Sequence, residues 1–287
     1  MDMAVIGAGR VGTALAVLLA RAGHRVVGVS GRGGTAERAA RYLPGVDVLP
    51  AAEASSRAEV VLVGTPDDRI AGVVSDLAAQ GAFRRGQTVA HLSGAAGLAT
   101  LAPATRAGTQ VLALHPLQTF PNVQAAIDRL PGSAVAVTAG NEAGYALGER
   151  LAMDAGGRPF RLPEEARPLY HAAAVFASNY LVAVLALADR LFRTAGIADP
   201  GPLYLPLVRA TLDNVEAVGV ERALTGPAAR GDAGTVAGNL EALAASAPDA
   251  VPAYVALATV ALDLAEGAGR LRPESRTRVE DVLARWR

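Results

Sequence analysis

A glycine-rich stretch near the start of the chain is the first feature that could do chemistry. Gly7, Gly9 and Gly12 form a Gly-x-Gly-x-x-Gly pattern between an apolar run, 3–6, and a helical stretch, 11–22. Such glycines allow a tight turn and a close backbone approach to a pyrophosphate, while the helix N-terminus supplies N–H donors. The pattern predicts a dinucleotide site, and a tight turn without a ligand is the alternative. The predicted cofactor-binding residues here are Gly7, Gly9, Arg10, Val11 and Gly12.

The end of the second predicted strand indicates which dinucleotide is bound. NAD sites usually place Asp or Glu there for the ribose hydroxyls, but this chain offers no carboxylate. Ser30, Arg32 and Thr35 instead provide hydrogen-bond donors. Charge-assisted bonds to a 2′-phosphate are worth about 1.5–3 kcal/mol each. We therefore expect NADP(H) as cofactor, with a solvated Arg32 in a glycine-rich turn as the alternative.

Polar residues also follow the next predicted strands, at the edge where an open α/β sheet binds its ligands. Thr65 and Pro66 are expected to line the approach to the nicotinamide ribose, and Ser93 is expected to contact the cofactor. Asp67 fits a helix N-cap at least as well as a ligand contact. His91 is either a core histidine or a catalytic one.

His115 ends the following strand and is a candidate catalytic residue. It precedes Gln118 and Thr119, whose side chains could hydrogen-bond a substrate. We expect the three strand-end loops, 64–68, 91–94 and 115–120, to face the same crevice.

A second polar group lies in the helical half of the chain. His171 and Ser178 differ by seven helical steps and so fall about 20° apart on one face, with Asn179 beside them. These three residues predict either a hydrogen-bond network between helices or a catalytic edge. In the catalytic case His171 is the expected proton donor, because an imidazole pKa near 6.5 suits proton transfer at neutral pH.

A later loop holds a candidate anion contact. Arg230, between glycine-rich turns, could bind a substrate carboxylate, and Asp232 is expected to cap the next helix.

Composition excludes several kinds of site. All 27 cationic residues are Arg, so Schiff-base chemistry and a lysine acid are excluded, and the absence of Cys excludes thiolate chemistry. The four His show no local metal-ligand spacing, so we expect no metal. The balance of 27 cations and 27 acids argues against nucleic-acid or membrane-surface partners. The apolar run 172–188 is short for a membrane span, and we expect a buried helix in a cytoplasmic protein.

In the first half of the chain, short β-branched runs alternate with helical stretches, a pattern that is typical of a parallel sheet. The predicted strands are 3–6, 25–29, 46–49, 60–63, 88–92, 111–114 and 134–137. After the glycine- and proline-rich stretch 156–168 the pattern is helical, at about 166–195, 202–218, 233–247, 251–267 and 273–286. The predicted fold class is therefore α/β, with a doubly wound, mostly parallel Rossmann sheet followed by an all-helical domain. The first domain, 1–160, is expected to bind NADP. The second domain, 161–287, is expected to bind the substrate and to form the dimer.

Taken together, these motifs resemble a group of Rossmann-type NADP oxidoreductases of the 6-phosphogluconate dehydrogenase superfamily with a helical C-terminal domain of unknown function. The resemblance covers essentially the whole chain, and its relatives include pyrroline-5-carboxylate and ketopantoate reductases. The motifs that carry it are 7–12, 65–68, 91–94, 115–120, 171–180 and 226–232. One departure is that ketopantoate reductases carry a helical Lys four residues before an Asn, where this chain has Val175.

The resemblance implies an NADPH-dependent oxidoreductase that reduces a C=O or C=N group of a small carboxylate metabolite, such as a 2-oxo acid or a cyclic imine. A non-catalytic NADP(H) sensor is the alternative, since the missing lysine could mark lost chemistry. Related proteins commonly pair through their helical halves, so a homodimer is expected.

Overall fold

The computed structural model describes every residue of the chain, Met1–Arg287. Its contacts separate two compact units, Met1–Asn179 and Tyr180–Arg287. The division lies within a predicted helical stretch, beyond the domain boundary that the glycine- and proline-rich segment suggested.

The first unit is built on one seven-stranded sheet in the order β2-β1-β3-β4-β5-β6-β7. Neighbouring strands are parallel except β5 and β6, which are antiparallel. This confirms the predicted fold class. The strands are β1 (Asp2–Ile6), β2 (Arg25–Ser30), β3 (Val60–Val63), β4 (Thr88–His91), β5 (Gln110–Pro116), β6 (Ala134–Ala139) and β7 (Arg158–Arg161).

Helices cover both faces of this sheet, because its strands are apolar on both sides. In β1 the side chains of Met3 and Val5 join one buried cluster, while those of Ala4 and Ile6 join the other. The helices of the unit are α1 (Arg10–Arg21), α2 (Thr35–Tyr42), α3 (Ala51–Arg57), α4 (Asp67–Ala79), α5 (Ala102–Arg106), α6 (Val123–Arg129), α7 (Glu142–Asp154) and α8 (Arg167–Val175), with 3₁₀ turns at Leu98–Leu101 and Glu164–Ala166.

Two strand predictions differ from the structure. Residues 46–49 form no strand, and only Val48 bridges to Val29 of β2. The seventh strand is instead β7, which was not predicted. It lies at the edge of the sheet, is mostly exposed, and its sequence, Arg-Pro-Phe-Arg, contains no apolar run. An edge strand needs no continuous apolar run, and its proline is tolerated there.

The second unit is helical. Its core is formed by residues of α12 to α15. A π-helical turn, Phe176–Tyr180, precedes the unit and ends at its first residue. The helices are α9 (Leu181–Thr194), α10 (Gly201–Val218), α11 (Val220–Ala223), α12 (Pro227–Arg230), α13 (Ala233–Ser246), α14 (Val251–Gly267) and α15 (Pro273–Ala284), with a 3₁₀ turn at Pro248–Ala250.

The expectation that 172–188 is buried is wrong for the single chain. Neither α9 nor α10 has a buried residue. Two stretches, Glu164–Thr194 and Pro248–Gly267, are long and apolar enough to cross a membrane by length and composition, a test that core helices also pass.

Candidate active site

A cavity of about 650 Å³ opens beside the glycine loop in the first unit. Six of the predicted cofactor residues line it: Gly7, Gly9, Ser30, Arg32, Thr65 and Pro66. Arg10, Val11 and Gly12 form the first turn of α1, and no side chain caps that helix. Its first N–H groups therefore remain available to an anion.

Gly7 brings two strand ends together at this cavity. Its φ is +88°, and a Cβ there would lie 2.6 Å from the backbone nitrogen of Thr65. The N–H groups of Gly7 and Ala8 both donate to the carbonyl of Ser30, at 2.8 and 2.9 Å. A side chain at position 7 would therefore separate the loops that follow β1 and β3.

Arg38 is a cavity residue that the sequence analysis missed. Its guanidinium donates to the carbonyls of Ala8 (2.9 Å) and Gly33 (3.1 Å) and to Oγ1 of Thr35 (3.2 Å). Arg38 and Arg32 both line the cavity, next to the end of β2. Arg38 lies one helical turn beyond the strand-end segment, and the i,i+3 spacing from Thr35 was the available signal.

At the end of β4, His91 is completely buried. Neither ring nitrogen has a hydrogen-bond partner of normal geometry. Burial, and secondarily the positive charge of Arg167, lower the pKa of His91 to about 4, against a weak opposing effect of the Gly97 backbone. His91 is thus a neutral core histidine at pH 7.

Ser93 and Gly94 follow His91 in the turn after β4. The hydroxyl of Ser93 accepts from the N–H groups of Ala95 and Ala96, so it stabilises this turn. Its predicted contact with the cofactor remains a prediction.

His115, in β5, lies in a group of rings formed with α8. Its Nδ1 is 2.8 Å from the hydroxyl of Tyr170, and its ring centroid is 6.3 Å from that of His171. A Cβ on Gly94 would lie 2.7 Å from both Nε2 of His115 and Cδ2 of His171. The structure therefore brings together two of the predicted catalytic residues, with a glycine where they meet.

Arg167 is a fully buried cation that the sequence analysis also missed. Its guanidinium donates to the carbonyls of Ala96 (2.7 Å) and Ser93 and to Oγ1 of Thr138 (2.8 Å). No carboxylate hydrogen-bonds it, and burial lowers its pKa. The acceptors lie on two segments that are distant from Arg167 in sequence, the turn after β4 and strand β6, so no local pattern could have indicated them.

The predicted stripe of His171, Ser178 and Asn179 is altered by the π-helical turn, which contains the last two of these residues. A π turn rotates the chain by less per residue than the 3.6-residue helix assumed for the stripe. Asn179 is exposed and Ser178 partly buried. Their catalytic role remains a prediction.

The predicted substrate contacts lie on exposed segments. Gln118 and Thr119 hydrogen-bond each other in the loop after β5. Arg230 is exposed on α12 of the second unit. These substrate roles also remain predictions.

The two predictions of helix capping have opposite outcomes. Asp232 caps α13 as predicted, with its carboxylate accepting from the N–H of Thr235 at 3.0 Å. Asp67 does not cap α4, because it is already the first helical residue and Pro66 precedes it at the cap position.

Comparison with known proteins agrees with this architecture. Residues 1–116 match the Rossmann-like domain family, and residues 133–261 match a domain of unknown function, DUF2520. The chain therefore carries a Rossmann-like domain followed by a DUF2520 domain, in agreement with the family resemblance. No curated protein sequence matches the chain.

Solved structures share the fold over most of the chain. A putative NADP oxidoreductase from Bacteroides fragilis is 25% identical with a TM-score of 0.75, covering 91% of this chain and 98% of that one. A protein from Thermotoga maritima is 24% identical with a TM-score of 0.70, covering 93% and 100%. Pyrroline carboxylate reductase from Plasmodium falciparum, solved with NADP bound, is 11% identical with a TM-score of 0.60, covering 97% and 98%. The last two similarities show the fold alone.

Replacing Arg167 with Met should strongly destabilise the first unit, because three buried oxygen acceptors lose their donor. We expect a loss of about 3–5 kcal/mol in the free energy of unfolding, measured by urea denaturation. Arg161→Met is the matched control, since Arg161 is exposed and its partners are surface carboxylates. Equal effects of the two substitutions would contradict a structural role for the buried guanidinium.

Stability should fall in mild acid because His91 and His115 resist protonation in the folded chain. Both have a pKa lowered from 6.5 to about 4, by burial and by Arg167. Between these two pH values the unfolded chain binds more protons, so the free energy of unfolding decreases as pH falls from 6.5 to about 4. Of this decrease in the free energy of unfolding, His91 accounts for about 3 kcal/mol. Urea denaturation across this range should show the slope, and His91→Gln should reduce it; an unchanged slope would refute the assignment.

Proposed function

We propose that the chain is an NADP(H)-dependent oxidoreductase acting on a C=O or C=N carbon of a small carboxylate-bearing metabolite. The observation that carries this proposal is the cavity at the glycine loop, which Arg32, Arg38 and Arg69 line and to which β2 contributes no acidic residue. The acidic residues of its wall, Asp68 and Asp76, lie on α4. The similarity to the Bacteroides fragilis protein described as an NADP oxidoreductase supports it.

The cavity residues fit such a cofactor. The backbone of the glycine loop and the first turn of α1 would hold the pyrophosphate. Ser30, Arg32 and Arg38 would hold the 2′-phosphate, because guanidinium groups form charge-assisted bonds with phosphate oxygens. Thr65 would meet the nicotinamide ribose, since its Oγ1 is buried in this wall with no hydrogen-bond partner. The bound cofactor would supply or accept hydride.

The substrate would lie at the carboxyl ends of β4 and β5, beside His115 and His171. The buried charge of Arg167 has no hydrogen-bonded carboxylate, so its positive potential would favour an anionic substrate here. Gln118 and Thr119 remain the proposed contacts for the substrate carboxylate, and Ser178 and Asn179 are proposed for its reacting end. Arg230, in the second unit, remains a proposed anion contact.

Calorimetric titration tests the cofactor. We expect NADPH to bind at least tenfold more tightly than NADH. Arg38→Met should weaken NADPH binding about tenfold to a hundredfold and leave NADH binding unchanged. The reason is that, of all the groups of the cofactor, the guanidinium would contact only the 2′-phosphate, which NADH lacks. Arg41→Met, on the exposed side of α2, is the matched control.

Each result has a distinct meaning. Equal loss of NADPH and NADH binding in Arg38→Met would show that Arg38 only supports the loop through Ala8. Binding of neither cofactor by the wild type would refute the proposed function. NADPH binding without turnover of any 2-oxo acid or cyclic imine would favour the non-catalytic sensor.

The exposed apolar helices of the second unit support a homodimer as the active form. Leu203 and Leu207, one turn apart on α10, are 61% and 66% exposed, and Val182 on α9 is 65% exposed. Most of the stability of a helix in a protein comes from packing of its apolar face, and such faces are normally buried. Because α10 has no buried residue in its own chain, we propose that a second copy covers it.

Light scattering coupled to size exclusion should give a mass of about 58 kDa, twice the 29.1 kDa of the chain. The double substitution Leu203→Glu and Leu207→Glu should weaken the dimer at least a hundredfold, since each buried leucine contributes about 1.5–3 kcal/mol. Val48→Glu, at an exposed apolar residue of the first unit, is the control. A monomeric wild type would refute the dimer.

A further inference from the structure

We propose that Tyr170 is the positioning residue for His115 and that His115 is the proton donor of the site. In this arrangement the Tyr170 hydroxyl donates to Nδ1 of His115, so the ring presents its Nε2–H to the substrate. The proposal rests on the proposed function, and it assigns Tyr170 a role that the sequence did not indicate.

The two side chains are held in a defined geometry. The hydroxyl oxygen of Tyr170 is 2.8 Å from Nδ1 of His115, and the rings meet nearly edge to face, with centroids 5.6 Å apart and planes at 85°. The ring of Phe160 in β7 contacts the other side of Tyr170, with centroids 5.9 Å apart. Tyr170 is one helical turn from Arg167, whose three hydrogen bonds fix the start of α8. The phenol is therefore anchored on two sides.

The protonation states limit this hydrogen bond to two neutral groups. Burial raises the pKa of Tyr170 to about 12, so the phenol keeps its proton at neutral pH. Burial, with Arg167, lowers the pKa of His115 to about 4, so the imidazole is neutral. With both groups neutral, either the phenol donates to Nδ1 or Nδ1–H donates to the phenol oxygen. We assign the phenol as donor, which places the imidazole proton on Nε2.

The charged and titratable groups around His115 come from three elements, since His91 of β4 interacts with it in addition to residues of α8 and α4. Arg167 and His171 on α8 oppose protonation of the ring, and Asp67 at the start of α4 favours it. Burial is the largest effect and acts in the same direction as Arg167 and His171. A simple imidazolium acid is therefore a minor species near pH 7.

Gly94 lies close to Nε2 of His115, and only a residue without a side chain fits there. A Cβ at this position would lie 2.7 Å from Nε2, within the distance of a collision. The His115 ring is only partly buried, so Nε2 can meet a substrate at the strand ends. A Cβ at Gly94 would also lie 2.7 Å from Cδ2 of His171, so both histidine rings pack against this glycine.

This arrangement gives a balanced proton transfer. As the substrate carbon takes up hydride, its oxygen or nitrogen takes the proton from Nε2, so one N–H bond breaks and one O–H or N–H bond forms. The phenol proton of Tyr170 moves to Nδ1, which keeps the imidazole neutral and leaves a phenolate near the buried charge of Arg167. Return of the proton from Nδ1 to the phenolate, with uptake of one proton from water at Nε2, restores the pair. The sum is one hydride and one proton per substrate.

Nitrogen NMR of the chain labelled with ¹⁵N-histidine tests this assignment without a substrate. The four histidines can be assigned with single His→Gln variants. At pH 7 we expect His115 to carry its proton on Nε2 with an unprotonated Nδ1. Tyr170→Phe should shift the ratio of the two tautomers about fivefold to tenfold toward Nδ1–H, the loss expected for one hydrogen bond. Tyr145→Phe, on α7, is the matched control and should leave the ratio unchanged.

The outcomes separate this inference from the proposed function. A proton on Nδ1 in the wild type, or an unchanged ratio in Tyr170→Phe, overturns the role of Tyr170 even if NADPH binds normally. With a 2-oxo acid or cyclic imine that the wild type reduces, Tyr170→Phe should lower kcat at least tenfold with little change in KM for NADPH, and equal kcat would overturn the proton transfer. Failure of the wild type to bind NADPH in the calorimeter overturns the proposed function instead.

Discussion

The hydrogen bonds of Arg167 are the interaction on which the arrangement of the first unit's site depends. One guanidinium holds the turn after β4, through Ser93 and Ala96, to Thr138 of β6 and to the start of α8. Because Tyr170 and His171 lie on the first turns of α8, their position relative to His115 follows from this anchor. Arg is suited to the task, since its planar group presents several donors in fixed directions.

The same buried charge also determines the chemistry that the site can do. A cation held by neutral oxygens keeps its positive potential, and this potential, with burial, holds His91 and His115 neutral. Neutral imidazoles remain hydrogen-bond donors and acceptors over a wide pH range, whereas an ordinary histidine changes charge near pH 6.5. Arg167 therefore stabilises the structure and defines an electropositive region at the ends of β4 and β5 without touching the cavity of the glycine loop.

The sequence predicted the features that depend on local patterns. Runs of β-branched residues located β1 to β6, and the glycine spacing located the cavity, because each reflects neighbouring residues. The exposed edge strand β7 and the π turn at 176–180 left no such pattern. Arg167 and Tyr170 were missed because their partners are distant in sequence, and only the folded sheet brings them together. Arg38 was missed although two of its partners, Gly33 and Thr35, are local, because its third partner, Ala8, belongs to the glycine loop.

The absence of lysine acquires a physical meaning in this arrangement. A lysine acid would add a second cation beside Arg167, and burial of two like charges within one small space is costly unless one loses its proton. A neutral phenol and a neutral imidazole can pass a proton without adding charge in the resting state. Burial raises the pKa of Tyr170, and the charge of Arg167 partly offsets this cost for the negative charge that would form transiently on the phenol. A site built around a buried arginine is thus better matched by the Tyr170 and His115 pair than by a lysine.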